Sequence, residues 1–384
     1  MGPLSGIRIV EFAGIGPGPM AAMLLADMGA TVLRVERPAA SGLGLNRPRQ
    51  FNFLNRGRRS VVADLKSAEG AALALSLVEK SDGLIEGFRP GAMERLGLGP
   101  EVCLARNEQL VYGRITGWGG EGPLAHAAGH DLNYVAISGA LHSIGREGQP
   151  PTPPLNLLGD YGGAVYLVMG VLAAIIEART SGQGQVVDAA MSDAATSLMS
   201  SAYGMHAAGM HNGPRGTNLL DSGLPYYDVY ECADGQWVSI APIEPKFRQE
   251  FFQLVGMAPD WLARSSDREN WPALRQELTA LFKTKTRDDW CALLEGSDAC
   301  FAPVLSMAEA PDHPLQAARD GFIEIDGVKQ PAPAPRFSRT KSDLPTPAEA
   351  PGESGDAAMR EWGYSDSEVQ DWKDRGGLLS GQKG

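Results

Sequence analysis

Proton transfer near neutral pH is the chemistry for which this chain's side chains offer the plainest candidates. Histidine suits the task because its unperturbed pKa lies close to neutrality, and the sequence supplies His126, His130, His142, His206, His211 and His313. By residue type alone none of them stands apart, since a lone histidine serves structure more often than catalysis. Asp160 precedes Gly162, Gly163 and an apolar helical run; a carboxylate there ordinarily caps the helix, worth about 0.5–2 kcal/mol. Glu244 stands before Pro245, and its ordinary fate is an exposed loop carboxylate. Cys103, Cys232, Cys291 and Cys300 lie far apart, without the paired spacing of a zinc site or a redox dithiol, so no metal is expected.

Two local patterns could hold a ligand. Gly14-Ile-Gly-Pro-Gly-Pro follows a short apolar stretch and precedes a helical one, the order of a dinucleotide turn. The third glycine of that fingerprint is missing, because Pro19 stands in its place. Pro17 and Pro19 also remove amide donors that a pyrophosphate would need, so the turn reads as a stiff wall beside a substrate. From Arg37 to Lys66 the basic residues are Arg37, Arg47, Arg49, Arg56, Arg58, Arg59 and Lys66, against Asp64 as the single acid. Arg89 and Arg95 follow in Glu86-Gly-Phe-Arg-Pro-Gly-Ala-Met-Glu-Arg-Leu-Gly. This excess fits either a solvated loop with internal ion pairs or a site for an anionic small molecule, since guanidinium forks hold phosphate.

The elements that must position these groups follow from periodicity. Strands are expected at 7–12, 31–35, 60–64, 83–86 and 110–115, with helices at 20–28 and 68–80 between them. That alternation predicts an α/β fold, a parallel sheet with helices on its faces. Arg37 and Arg89 then each follow the carboxyl end of a strand, where ligands of parallel sheets bind. Helices are expected at 129–143 and 162–179, the second apolar enough to predict burial, then a strand at 186–189 and a helix at 192–209. Residues 1–212 read as a large domain, 213–224 as an exposed linker and 225–325 as a smaller α+β domain. The small domain opens on a hairpin around Asp234-Gly235. Residues 326–384 read as a C-terminal segment returning to the large domain, with a Pro- and Ala-rich surface excursion at 330–355 and an amphipathic helix at 365–375.

With 384 residues, 43% of them hydrophobic, the chain can bury a large core. A formal net charge of −12 argues against nucleic acid or an anionic membrane as the main partner. The longest apolar run, 162–176, reads as too short to span a bilayer. No secretory or lipidation signal is legible, and the scattered cysteines read as reduced thiols. The expectation is a soluble, cytoplasmic protein.

Several stretches together are more specific. Gly14-Ile-Gly-Pro-Gly-Pro with Leu25-Ala-Asp-Met-Gly-Ala-Thr-Val-Leu-Arg-Val-Glu-Arg resembles the opening of the CoA-transferase III family. So do Asn55-Arg-Gly-Arg-Arg-Ser-Val-Val-Ala-Asp-Leu-Lys, Glu86-Gly-Phe-Arg-Pro-Gly and Gly182-Gln-Gly-Gln-Val-Val-Asp. The resemblance implies a Rossmann-like large domain and a smaller domain, in an interlocked homodimer with active sites between subunits. It implies an acyl-CoA thioester as substrate, with the CoA phosphates on Arg37, Arg89 and Arg95. The backbone around Ala63, Leu65 and Gly87 would line the adenosine, and Gly129, Asp131 and Tyr134 would lie beside the substrate.

Within that family, transferases and racemases share the aspartate that is here Asp160. The racemase branch adds a histidine in a Gly-His-Asp motif, which singles out His130, and a glutamate after the small-domain hairpin, here Glu244 in Ala241-Pro-Ile-Glu-Pro. No glycine-rich transferase loop is visible near Glu244. Met20 departs from the aromatic or histidine that racemases often place after Gly-Pro-Gly-Pro, and could alter the acyl pocket. The resemblance therefore implies epimerisation of 2-methylacyl-CoA thioesters in lipid metabolism. His130 and Asp160 would act on opposite faces of the α-carbon, and amides near Asp160 and the following helix start would hold the oxyanion. No cofactor is expected, since CoA enters as part of the substrate. The alternatives are CoA transfer to a free acid through an Asp160 anhydride and non-catalytic acyl-CoA binding.

Overall fold

The computed structural model describes residues 2–39, 42, 44–45 and 47–381. Its contacts divide the chain into two units, Met1–Ser138 with Pro154–Leu198 and Asp320–Gly384, and Gly139–Pro153 with Met199–Arg319.

In the first unit β1 (Arg8–Phe12), α1 (Pro17–Asp27), β2 (Thr31–Glu36), β3 (Arg59–Val62), α2 (Ala68–Glu79) and β4 (Gly83–Glu86) are followed by α3 (Ala92–Arg95), α4 (Pro100–Arg106) and β5 (Val111–Thr116). Then come α5 (Asp131–Ile137), α7 (Gly162–Ser181), β6 (Gln185–Ala190) and α8 (Met191–Leu198), with α6 (Ala140–Ser143) belonging to the second unit. The six strands form one sheet in the order β3-β2-β1-β4-β5-β6, and every pairing is parallel. Chain direction across the sheet reverses between β1 and β4, which opens a crevice at their carboxyl ends.

Alternation along the strands sorts side chains onto two faces. Val10, Phe12, Leu33, Val35, Leu84 and Tyr112 pack with Leu73 and Leu77 of α2 and Cys103 of α4. Ile9, Val32, Ile85 and Val111 pack instead with Ala21 and Leu25 of α1 and Leu167 and Val171 of α7. Helices thus cover both faces, as the alternating pattern predicts.

Several expectations are corrected. The helix after the glycine turn begins at Pro17, not Met20; prolines are tolerated in a first turn because the amides they lack would have no acceptor there. The expected helix at 129–143 breaks at Gly139, φ +82°. The α7 helix is not wholly buried: Val165, Met169 and Ile176 are exposed on its outer face. Together with the turn before it, helix Leu157–Ser181 is also long and apolar enough to cross a membrane by length and composition, unlike the shorter run read from sequence. Its inner face packs on the sheet.

In the second unit α9 (Ser200–Ala207) leads to residues 213–223. These are not an exposed linker but a set of turns around buried Asn218, whose amide donates to Asp221 Oδ1 at 2.7 Å. The hairpin β7 (Asp228–Glu231) and β8 (Trp237–Ile240) pairs antiparallel and is joined by β9 (Phe301–Val304). Behind it, α10 (Pro245–Leu254), α11 (Trp261–Arg264), α12 (Trp271–Phe282) and α13 (Arg287–Leu294) bury Phe251, Trp261, Phe282 and Trp290. A short helix α14 (Pro314–Ala318) ends this unit. The chain returns to the first unit through the hairpin β10 (Phe322–Ile325) and β11 (Val328–Pro331) and an irregular stretch. It closes on α15 (Gly355–Glu361) and α16 (Asp366–Asp374), whose Ser365 forms a capping box with Glu368.

Candidate active site

The loops leaving β1, β4 and β5 wall a cavity of about 330 Å³, with Ile15, Gly16 and Pro17 on one side, Gly87 to Pro90 on another, and Gly117 and Trp118 on a third. Both His130 and Asp160 face it, with Tyr134 and Met191 beside them.

Buried charges fasten two of these loops from beneath. Glu11 of β1 is fully buried and pairs with Arg34 and Arg58, the latter at 2.9 Å. Arg58 also donates to the Pro19 carbonyl at 3.0 Å, so one guanidinium ties strand to glycine turn. Burial pulls Arg58 down to about 10 against the opposing charge of Glu11. At the end of β4, buried Glu86 accepts from the Phe88 amide at 2.7 Å and from Arg114 Nε at 2.6 Å. Burial holds its carboxyl above the usual range, against those two donors.

The residues before His130 are fixed by contact. A Cβ on Gly129 would lie 2.8 Å from both the Trp118 and Tyr134 rings, and one on Gly117 would lie 2.5 Å from Tyr134. Those rings meet edge to face with centroids 4.7 Å apart, and the Tyr134 hydroxyl donates to the Gly129 carbonyl. Burial, with the charges of Asp160 and Asp131, pushes Tyr134 up to about 12, so it remains a donor at neutral pH. His130 then opens α5, its amide donating to Asn133 Oδ1 at 3.0 Å, and its ring is exposed on the cavity. By contrast His126 is exposed and takes no part in the cavity wall.

Asp160 sits in a single π-helical turn, Leu157–Tyr161, ahead of α7; such turns recur at functional sites. Asn156 Nδ2 donates to its Oδ2 at 3.1 Å. Gly16, at φ +65°, faces the same oxygen, where a Cβ would stand in ordinary contact at 3.4 Å. The expected N-cap role is not what the structure shows: Tyr161 precedes α7 and no side chain caps it. Burial raises the Asp160 carboxyl above its ordinary value; Asp131 pushes the same way, while Asn156 and His130 oppose.

Asp131 is the residue that binds this turn. It is buried, and its Oδ1 accepts from the Gly159 and Asp160 amides, each at 2.8 Å. Its side chain is turned inward and is not among those lining the cavity. The amides expected to hold an oxyanion near Asp160 are therefore occupied. At the start of α5 the amides of Asp131 and Leu132 have no acceptor within the helix, as the first turn dictates.

The basic run divides in two. Arg49, Arg56, Arg58 and Arg59 are each paired with acids, whereas Arg37, Arg47, Lys66, Arg89 and Arg95 are exposed and form no ion pair among the described residues. Arg37 lies 5.1 Å from the centre of the Phe88 ring, and Arg89 is part of the cavity wall. Ala63 is buried, its amide donating to the Glu36 carbonyl at 3.0 Å, and Leu65 is half-buried. Gly87 stands on the cavity wall. Met20 packs with the cluster of α1 and α7 rather than lining the cavity. Glu244, in the second unit, opens α10 with an exposed side chain that caps nothing. Among the described residues no group of three or more metal-ligating side chains occurs.

Sequence reasoning missed the roles of Asn156, Glu11, Glu86 and Trp118. Asn156 carried a signal in its four-residue spacing from Asp160, which brings side chains together on a helical turn.

Comparison with known proteins gives three further findings. The model of CoA-transferase family III matches residues 4–354. The alpha-methylacyl-CoA racemases of Mus musculus and Homo sapiens are 40% and 39% identical to this chain, each match covering 95% of the chain and 95% of the relative. The probable fatty acyl-CoA transferase Rv3272 of Mycobacterium tuberculosis is 32% identical, over 90% of this chain and 95% of its own. Its crystal structure superposes with a TM-score of 0.77 and 29% identity, covering 92% of this chain and 98% of that one.

Proposed function

This chain belongs to CoA-transferase family III, and from that membership we propose that it is an α-methylacyl-CoA racemase, epimerising 2-methylacyl-CoA thioesters. One observation carries the reading: an imidazole and a carboxylate held by separate elements, His130 and Asp160, face a single cavity. A proton taken from one face of the α-carbon by one group and supplied to the other face by the second inverts the centre. Burial favours the protonated form of Asp160, as its turn as acid requires. Negative charge reaching the thioester oxygen would be met by the amides of Asp131 and Leu132 at the start of α5. Arg37, Arg89 and Arg95 would hold the CoA phosphates, being exposed and without an ion pair among the described residues. The net reaction moves a proton, so it calls for no redox cofactor. In a homodimer, Glu244 from a second copy would accept from an imidazole nitrogen and fix its tautomer.

The resemblance to Rv3272 favours a second reading, CoA transfer with Asp160 as nucleophile. Paired substitutions separate the two. Under the racemase reading His130→Ala and Asp160→Ala each lower turnover by roughly 10²-fold or more, with little change in substrate affinity, while His126→Ala stays active. A His130→Ala variant with undiminished CoA-ester chemistry would favour the transferase.

A further inference from the structure

We propose that Asp131 is a positioning residue that ties the two proton-transfer groups together, gripping the Asp160 turn through its carboxylate and setting its charge beside the Asp160 carboxyl. The inference rests on the racemase reading and adds to it a role for a side chain that does not itself touch the substrate.

Asp131 follows His130 in the chain, so the residue that opens α5 beside the imidazole also grips the turn bearing the carboxylate. Its Oδ1 collects the Gly159 and Asp160 amides, both at 2.8 Å. The grip is tight: a Cβ on Gly159 would lie 2.6 Å from that oxygen. Its Oδ2 is buried with no hydrogen-bond partner, and no arginine or lysine pairs with Asp131 among the described residues. With no cation paired to it, its charge is felt by the neighbouring Asp160 carboxyl across a weakly polarisable interior.

The groups facing Asp160 are few. From α5 and its cap come His130, whose positive form favours the ionised carboxyl, and Asp131, which disfavours it. Tyr134 lies beside them, with Arg89 acting on it across the cavity. Asn156 donates from the same turn, and the Gly16 approach brings no charge. Removing the Asp131 charge therefore leaves only influences that favour ionised Asp160, apart from burial, and its protonation must move to lower pH.

Asp131→Asn separates charge from grip. The asparagine oxygen can still accept both amides, and its NH₂ would occupy the place of an oxygen that has no donor to lose. The acid limb of the kcat/KM profile for epimerisation should shift to lower pH in Asp131→Asn. Asp131→Ala, which loses the grip as well, should drop kcat by roughly 10²-fold, the cost of a displaced catalytic group. A limb that stays in place under a lowered plateau would overturn the charge role, and wild-type kcat in Asp131→Ala would overturn the grip. A second readout does not depend on the reaction. The carbon-13 carboxyl titration of Asp160, assigned with Asp160→Asn, should move to lower pH in Asp131→Asn. If wild-type enzyme fails to epimerise while that titration moves, the racemase reading falls and the role of Asp131 stands; an unmoved titration removes the role itself.

Discussion

At the residue scale, identical side-chain types in this chain have opposite fates, decided by which acids lie near. Arg56 and Arg58 are buried against Asp27 and Glu11, while Arg37, Arg89 and Arg95 remain exposed and unpaired. The sequence shows a single basic run because Asp27 and Glu11 lie on elements that only the folded sheet brings close. For Arg89→Ala the expected outcome is a rise in KM for acyl-CoA larger than any fall in kcat, because a phosphate contact remote from the α-carbon binds ground and transition states alike. Loss of a charge-assisted hydrogen bond should weaken binding by about 1.5–3 kcal/mol. Steady-state kinetics with acyl-pantetheine, which lacks the nucleotide phosphates, should show a smaller effect; equal losses with both substrates would make Arg89 structural. His130 and Asp160 were both legible from their motifs, and the structure places both on one cavity. The inward turn of Asp131 was not legible, since nothing in Gly-His-Asp says whether the carboxylate serves a ligand or the neighbouring turn.

At the element scale, the site depends on how strand ends are tied to the loops that follow them. The positions of β1 to β5 were readable from short apolar and β-branched runs alternating with helical segments, and with them the parallel sheet. What escaped was the start of α1, because Pro17 and Pro19 look like a turn until their place in a first helical turn is known. Also hidden was the π-helical turn carrying Asp160, whose shape depends on Asp131 gripping two of its amides from another element. Glu11 is the clearest single tie. It has no exposed surface and faces Arg34 and Arg58, which are 7% and 2% exposed, so removing it leaves two buried guanidinium groups short of a partner. Glu11→Ala should lower unfolding stability by about 3–5 kcal/mol, read from the midpoint of urea denaturation. A change within about 0.5 kcal/mol, the range of ordinary surface substitutions, would show that the network does not brace the sheet.

At the scale of the whole molecule, the exposed side of α7 is the feature the sequence misread. Composition alone predicts burial for so apolar a helix, and half of that prediction holds: Leu167, Val171 and Ala174 pack on the sheet. Val165, Met169 and Ile176 are 53%, 58% and 69% exposed, and their spacing places them along one side of the helix. An apolar stripe on an otherwise packed helix suits contact with a partner, and in the proposed homodimer a second copy would cover it. Met169→Glu combined with Ile176→Glu should turn a dimer into a monomer in sedimentation velocity, and should lower activity if each site borrows Glu244 from the other copy. A wild-type monomer at micromolar concentration would remove the dimer, and with it that role for Glu244.

The claim on which these readings converge is that the α-carbon proton moves between His130 and Asp160. The most direct measurement is incubation in D₂O with one epimer of a 2-methylacyl-CoA and no added acid, followed by mass and chiral analysis of the product. A proton taken by either group exchanges with solvent, and the opposite face is protonated by a group already carrying deuterium. The account predicts deuterium at the α-carbon and both epimers in the product. CoA transfer through Asp160 has no need to break the α-C–H bond. Retained α-hydrogen with CoA moving only when a carboxylic acid such as succinate is supplied would contradict the account.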